Sequence, residues 1–144
     1  MTLVLQLLNE KGHDMWSIHP DDTVYNAIKK MAEKDIGSLV VLEEERVVGI
    51  VTERHYARNV VLRGRSSRST PIREIMTTRV VYTRPERSVE ECLAIMTQQR
   101  VRHLPVMENG RLIGIISTGD LVKSIIAEQK FLIDELTQFI AGER

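Results

Sequence analysis

Two stretches decide the fold: residues 36–52, IGSLVVLEEERVVGIVT, and residues 101–117, VRHLPVMENGRLIGIIS. They overlay without a gap, with Leu39/Leu104, Val41/Val106, Glu43/Glu108, Arg46/Arg111, Gly49/Gly114 and Ile50/Ile115 identical. The match widens in both directions. Residues 20–58 lie over 85–123 at a constant shift of 65, which adds Pro20/Pro85, Val24/Val89 and Met31/Met96. Elsewhere apolar falls on apolar, as in Ile28/Leu93, Ile36/Val101 and Val48/Ile113. Two copies are too few for a solenoid, which needs about three or more to bury a continuous core. A pseudo-symmetric pair fits instead.

Each copy predicts the same order of elements. A short strand (16–18; 80–83) runs into a proline, and Asp22-Thr23 or Arg87-Ser88 opens a helix. Val24, Ala27, Ile28 and Met31, like Val89, Cys92, Leu93 and Met96, recur at helical spacing. Two strands follow, 39–42 with 47–51 and 104–107 with 112–116. Their turn is charged in the first copy and Asn109-Gly110 in the second, a strong hairpin signal. Thr52 or Ser117 then precedes a second helix.

The expected fold is therefore α+β: two strand–helix–strand–strand–helix repeats related by a pseudo-two-fold, with flanking N- and C-terminal helices. Repeat one covers about 12–62, a polar linker 63–71, repeat two about 72–126, and a C-terminal helix about 127–142, all in one module. Residues 3–9, LVLQLLN, read as a short apolar-faced helix. Ile125, Leu132, Leu136, Phe139 and Ile140 form a stripe that reads as a helix lying on the module or on a second subunit.

Length and composition narrow the function. At 144 residues the chain is one domain by size. Twenty basic against twenty acidic side chains remove bulk charge as a drive for nucleic-acid binding. Arg54, Arg58, Arg63, Arg65 and Arg68 crowd one region, but Tyr56 is the one aromatic among them and gives bases little to stack on. The single cysteine, Cys92, allows no internal disulfide. MTLVLQLLNEKG has no basic n-region, and no apolar run approaches the roughly 20 residues of a membrane span. A cytoplasmic location follows as an expectation, with neither membrane nor nucleic acid as partner.

Ile36-Gly37-Ser38-Leu39-Val40-Val41 with Gly49-Ile50-Val51-Thr52, and Val101-Arg102-His103-Leu104-Pro105-Val106 with Gly114-Ile115-Ile116-Ser117-Thr118-Gly119-Asp120, carry a resemblance. Each repeat resembles the CBS domain, and the pair resembles a Bateman module, over about residues 3–123. The resemblance implies a regulatory module rather than an enzyme, needing no cofactor. It implies binding of adenosine-containing ligands: AMP, ADP, ATP, NAD or S-adenosylmethionine. It also implies a homodimer and an unidentified protein partner that reads a ligand-driven population shift. One cleft would combine Ser117 and Asp120 with Ile36, Gly37, Ser38 and Leu39. The other would combine Thr52 and His55 with Arg102, His103, Leu104 and Pro105.

The residues themselves admit two readings. Ser117-x-x-Asp120 is a helix start, with serine as cap and aspartate complementing it. An ionised aspartate there can also accept both ribose hydroxyls, while helix N–H groups meet a phosphate. Thr52-Glu53-Arg54-His55 departs from the family's pattern, placing histidine where the ribose-binding aspartate belongs. Neutral imidazole offers one acceptor and imidazolium none, so this cleft is expected to bind adenosine ligands about ten- to a hundredfold more weakly. Arg54 and Arg58, one helical turn apart, are candidates for a phosphate, and Arg102 and His103 precede the strand edge that in the family meets the ligand. His13, His19 and His103 show no ligand spacing with His55, so no metal is expected. The rival readings are an interaction protein with vestigial clefts, and an enzyme using His103 and Asp120 as acid and base, which no motif supports.

Overall fold

The computed structural model describes residues 1–13 and 15–142. The elements run α1 (Val4–Lys11), β1 (Ser17–Ile18), α2 (Val24–Lys34), β2 (Ser38–Glu43), β3 (Arg46–Thr52), α3 (Glu53–Tyr56), α4 (Val89–Gln99), β4 (His103–Glu108), β5 (Arg111–Ser117) and α5 (Thr118–Ile140). After Tyr56 the first repeat's second helix widens into a π-helix over Ala57–Val61, and Ile72–Glu74 makes a 3-10 turn. The chain forms two compact units: residues 15–80, and residues 1–13 together with 81–142. No helix among the described residues is long and apolar enough to cross a membrane.

The repeats build themselves by the same local chemistry. Each of the four helices in the repeats begins at a hydroxyl whose oxygen accepts a backbone N–H three residues on. Thr23 accepts from Asn26 at 3.1 Å, Thr52 from His55 at 3.2 Å, Ser88 from Glu91 at 3.0 Å and Ser117 from Asp120 at 3.2 Å. α2 and α4 end at matching residues, Asp35 and Arg100, both left-handed with φ of 54° and 56°. β2 pairs antiparallel with β3, and β4 with β5, in equivalent register: Ser38 opposite Thr52, His103 opposite Ser117. The apolar faces then close one core per unit. One gathers Val24, Ala27 and Met31 of α2 with Leu39, Val41 and Val51 of the hairpin; the other gathers Val89, Cys92 and Met96 with Leu104, Val106 and Ile116.

One expected strand is missing, and the reason is a single residue. β1 pairs parallel with β2, and the Val40 N–H reaches the Trp16 carbonyl at 3.4 Å. The second repeat has Pro105 at the position of Val40, with no N–H to give. Residues 80–83 therefore form no named strand but a single bridge, Thr83 to Val106, through bonds of 3.0 Å to the Pro105 carbonyl and from the Met107 N–H.

Each unit is completed by a segment lying before the other repeat in sequence. Residues 2–5 strap repeat two: Val4 N–H bonds the Arg87 carbonyl at 2.9 Å, Leu5 N–H that of Pro85 at 3.1 Å, and Val89 N–H that of Thr2 at 2.9 Å. Residues 70–73 strap repeat one in the same way. Ile72 N–H bonds Asp22, Arg73 N–H bonds Pro20, and Val24 N–H bonds Thr70, each at 2.9 Å. The strap continues onto a glycine of each hairpin. A Cβ on Gly114 would lie 2.6 Å from Leu8 Cδ2, and one on Gly49 would lie 2.6 Å from the Thr77 carbonyl.

The two hairpin turns share a conformation that suits only one of their sequences. Asn109 and Gly110 adopt φ of 52° and 78°, the left-handed pair that Asn-Gly favours. Glu44 and Glu45 adopt φ of 52° and 65° with no such preference, at a cost of roughly 1–2 kcal/mol per residue for an ordinary L-residue. Replacing Glu44-Glu45 with Asn-Gly is expected to stabilise the protein by about 1 kcal/mol in chemical denaturation. A destabilised double variant would show that the turn is not the source of strain.

Candidate functional site

Both half-sites named from the sequence stand at the end of a hairpin, where the second strand turns into a helix. In the second repeat, Ser117 and Asp120 form a reciprocal cap: Asp120 N–H donates to Ser117 Oγ, and Ser117 N–H donates to Asp120 Oδ2 at 2.9 Å. The residue that the sequence did not announce is Lys11. From the end of α1 its ammonium donates to Asp120 Oδ2 at 2.6 Å and to the Ile115 carbonyl at 2.6 Å. Both partners are partly exposed, Lys11 at 34% and Asp120 at 23%, so the pair meets solvent. Oδ2 thus carries two donors, the Lys11 ammonium and the Ser117 N–H.

The charge of Asp120 follows from these partners. Burial raises its pKa, but the Lys11 bond and the Ser117 backbone N–H outweigh it and hold the carboxyl below the usual value of 3.8. A depressed acid stabilises the fold above its unfolded pKa and loses that contribution as pH falls through the folded one. At neutral pH the group is an anion at a helix N-terminus, where the backbone dipole favours it.

The first repeat reproduces this cap with different chemistry. His55 N–H donates to Thr52 Oγ1, and the Thr52 N–H donates to His55 Nδ1 at 3.1 Å. Imidazole therefore takes the place of carboxylate in the cap, and its one acceptor is spent there. What remains is Nε2–H, a donor. Burial first, and the Arg54 charge second, lower the His55 pKa below 6.5. The neutral form is thus tied to folding. Its stabilisation is present above about pH 6.5 and is lost as pH falls from there through the lower folded value. Thermal melts between pH 7 and pH 5 are expected to fall less steeply for His55→Asn, which keeps a cap acceptor without titrating. Identical slopes would remove His55 from the cap.

The remaining candidates divide by burial. Leu39 and Leu104 are buried in the two cores, and Pro105 is buried as well. The Pro105 carbonyl accepts from Thr83 N–H at 3.0 Å. Ile36, Ser38 and His103 are half-buried, while Gly37, Arg54, Arg58 and Arg102 are exposed. Matched backbone bonds fix each strand edge to the helix start of its own repeat: Glu53 N–H to the Gly37 carbonyl at 3.1 Å, and Thr118 N–H to that of Arg102 at 3.0 Å. The arginine cluster is partly committed, with Arg65 bonded to Glu74 and Arg68 stacked 4.0 Å over Tyr25. Trp16 carries the Lys34 ammonium 4.1 Å over its ring. His19, Asp21 and Glu43 cluster on the surface, where Arg73 bonds Asp21 at 3.2 Å and Glu43 at 2.8 Å and supplies the cation.

The CBS domain family matches residues 11–61 and again 72–127. A CBS-domain protein from Burkholderia ambifaria MC40-6 is 53% identical, with a TM-score of 0.84 over 89% of this chain and 96% of that one. The mitochondrial CBS domain-containing protein CBSX3 of Arabidopsis thaliana is 39% identical over 98% of this chain and 73% of its own length. The CBS domain pair of protein MJ0100, solved with 5'-methylthioadenosine and S-adenosyl-L-methionine, shares the fold at a TM-score of 0.78 and 22% identity, over 89% of this chain and 98% of that one. Such pairs are regulatory modules without a catalytic centre. With the repeated hairpins, their capped helix starts and the exchanged straps, these likenesses make the chain a tandem pair belonging to the CBS-domain family.

Proposed function

We propose that the chain senses an adenosine-containing ligand (AMP, ADP, ATP, NAD or S-adenosylmethionine) and passes its bound state to a protein partner or an assembly. The observation that carries this reading is the Asp120 carboxylate, ionised and fixed by its cap at the start of α5. A ribose diol presents two O–H donors, and a carboxylate is its natural acceptor. Ser117 and the positive end of the α5 dipole suit a neighbouring phosphate. Residues 36–39 are the strand edge proposed to face the base. MJ0100 of the same fold holds two adenosyl compounds, which supports the class without selecting its member.

The His55 position takes a different part in this proposal. Its free group is a donor, so it suits an anion or a carbonyl, helped by Arg54 and Arg58, and not a ribose diol. His55→Asp is then expected to add a second adenosine site, or tighten a weak one about ten- to a hundredfold. Titration calorimetry reads this as a change in stoichiometry. A variant with unchanged stoichiometry and affinity would contradict the assignment.

The pairing of Asp120 with Lys11 favours one rival: an interaction protein whose clefts no longer bind. A thermal-shift screen separates the two. A ligand at about 100 times its Kd stabilises the folded state by about 2.7 kcal/mol, a shift of several degrees. The rival predicts no shift with any of the five ligands.

A further inference from the structure

Lys11 ends α1, where a cation suits the helix dipole, but its ammonium is spent elsewhere. It donates to Asp120 Oδ2 and to the Ile115 carbonyl, each at 2.6 Å, 109 and 104 residues along the chain. Both members of the Lys11–Asp120 pair lie in the same compact unit and both meet solvent. A pair so placed adds little to stability. The first repeat speaks against neutralisation as its whole purpose. At the interval of 68 that relates the two straps, Lys11 falls on Arg79. His55 stands there in the place of Asp120, so the basic residue is kept where the cap carboxylate is not.

We infer that Lys11 sets the charge of the ligand. It receives the 5'-phosphate of an adenosine nucleotide whose ribose sits on Asp120, and it disfavours the cationic S-adenosylmethionine. The inference rests on the ligand reading above and narrows it. Its physical reason is the charge of Asp120. A carboxylate that accepts a ribose diol stands close to whatever group the 5' carbon carries. Alone it would repel a phosphate and attract a sulfonium. The ammonium beside it offsets the first effect and opposes the second. Lysine carries three donors on a flexible stem, and its two bonds take two of them. It can therefore exchange the Ile115 carbonyl for a phosphate oxygen while it keeps Asp120. Because Lys11 is 34% exposed, solvent screening holds the expected preference to about tenfold.

Titration calorimetry of the full chain with adenosine, AMP and S-adenosylmethionine tests this on the native protein, Lys11→Met and Lys11→Arg. Methionine and arginine form helix about as well as lysine, so circular dichroism should show α1 intact in both variants. The native chain is expected to bind AMP about tenfold more tightly than adenosine, and to bind S-adenosylmethionine more weakly than AMP. Lys11→Met should lose most of both preferences, and Lys11→Arg should keep them. Raising salt from about 50 to 500 mM should shrink the native preference for AMP and leave that of Lys11→Met little changed. The readout is the ratio of affinities. If Lys11 only positioned Asp120, adenosine and AMP would weaken together in Lys11→Met, and that unchanged ratio would overturn the inference. A native preference for S-adenosylmethionine over AMP would overturn it too. A folded native chain that binds none of the three is a different failure, which removes the ligand reading itself and this inference with it.

Discussion

Asp120→Ala is expected to weaken the bound adenosine ligand at least tenfold, about 1.4 kcal/mol, and to lower stability by about 1 kcal/mol through the lost cap. The two effects have separate origins. The binding loss comes from removing the acceptor of the ribose diol. The stability loss comes from the Ser117 N–H and the Lys11 ammonium, which both donate to Asp120 Oδ2. The Lys11 pair is partly exposed, so solvent screening keeps its own share small. Asp120→Asn separates the two, because its amide oxygen still caps Ser117 while the charge and one acceptor are gone. Titration calorimetry should then show weakened binding in both variants, with denaturation affected mainly in the alanine. Full affinity in both variants would remove Asp120 from the binding site.

Gly49→Ala is expected to destabilise the protein by about 1–3 kcal/mol, while Gly114→Ala costs less than about 1 kcal/mol. The two glycines are sequence equivalents, so the difference lies in what each touches. The new methyl at position 49 meets the Thr77 carbonyl at 2.6 Å. That carbonyl is held by the Ile50 N–H at 3.1 Å, with the Thr77 N–H returning to Ile50 at 3.0 Å, so backbone would have to move. At position 114 the methyl meets the tip of the Leu8 side chain, which can turn aside. Thermal melts should place Gly49→Ala roughly 3–10 °C below the native chain and clearly below Gly114→Ala. Equal melting temperatures would mean that the strap after the linker yields as easily as a leucine.

What could be read from the sequence was what the constant shift of 65 preserves. The hairpins, the apolar columns of α2 and α4, and the four hydroxyl caps all recur at that interval, so each copy corroborates the other. The straps escaped because they repeat at a different interval. Residues 2–8, TLVLQLL, match 70–76, TPIREIM, at a shift of 68, and Thr2/Thr70 is the sole identity. At that shift Lys11 falls on Arg79, a shared basic position that could have marked the partner of Asp120. Nothing in local spacing links Lys11 to a carboxylate 109 residues away. The lost strand at 80–83 was in principle legible, since Pro105 announces a missing donor. The reading of His55 as a failed ribose acceptor was incomplete, because its nitrogen already serves the Thr52 cap.

The central claim is that a carboxylate-capped helix start holds an adenosine ligand. Isothermal titration of the native chain with AMP, ADP, ATP, NAD and S-adenosylmethionine in turn tests it most directly. At least one should give a saturable isotherm with a Kd below about 1 mM. Five flat isotherms from folded protein would contradict it.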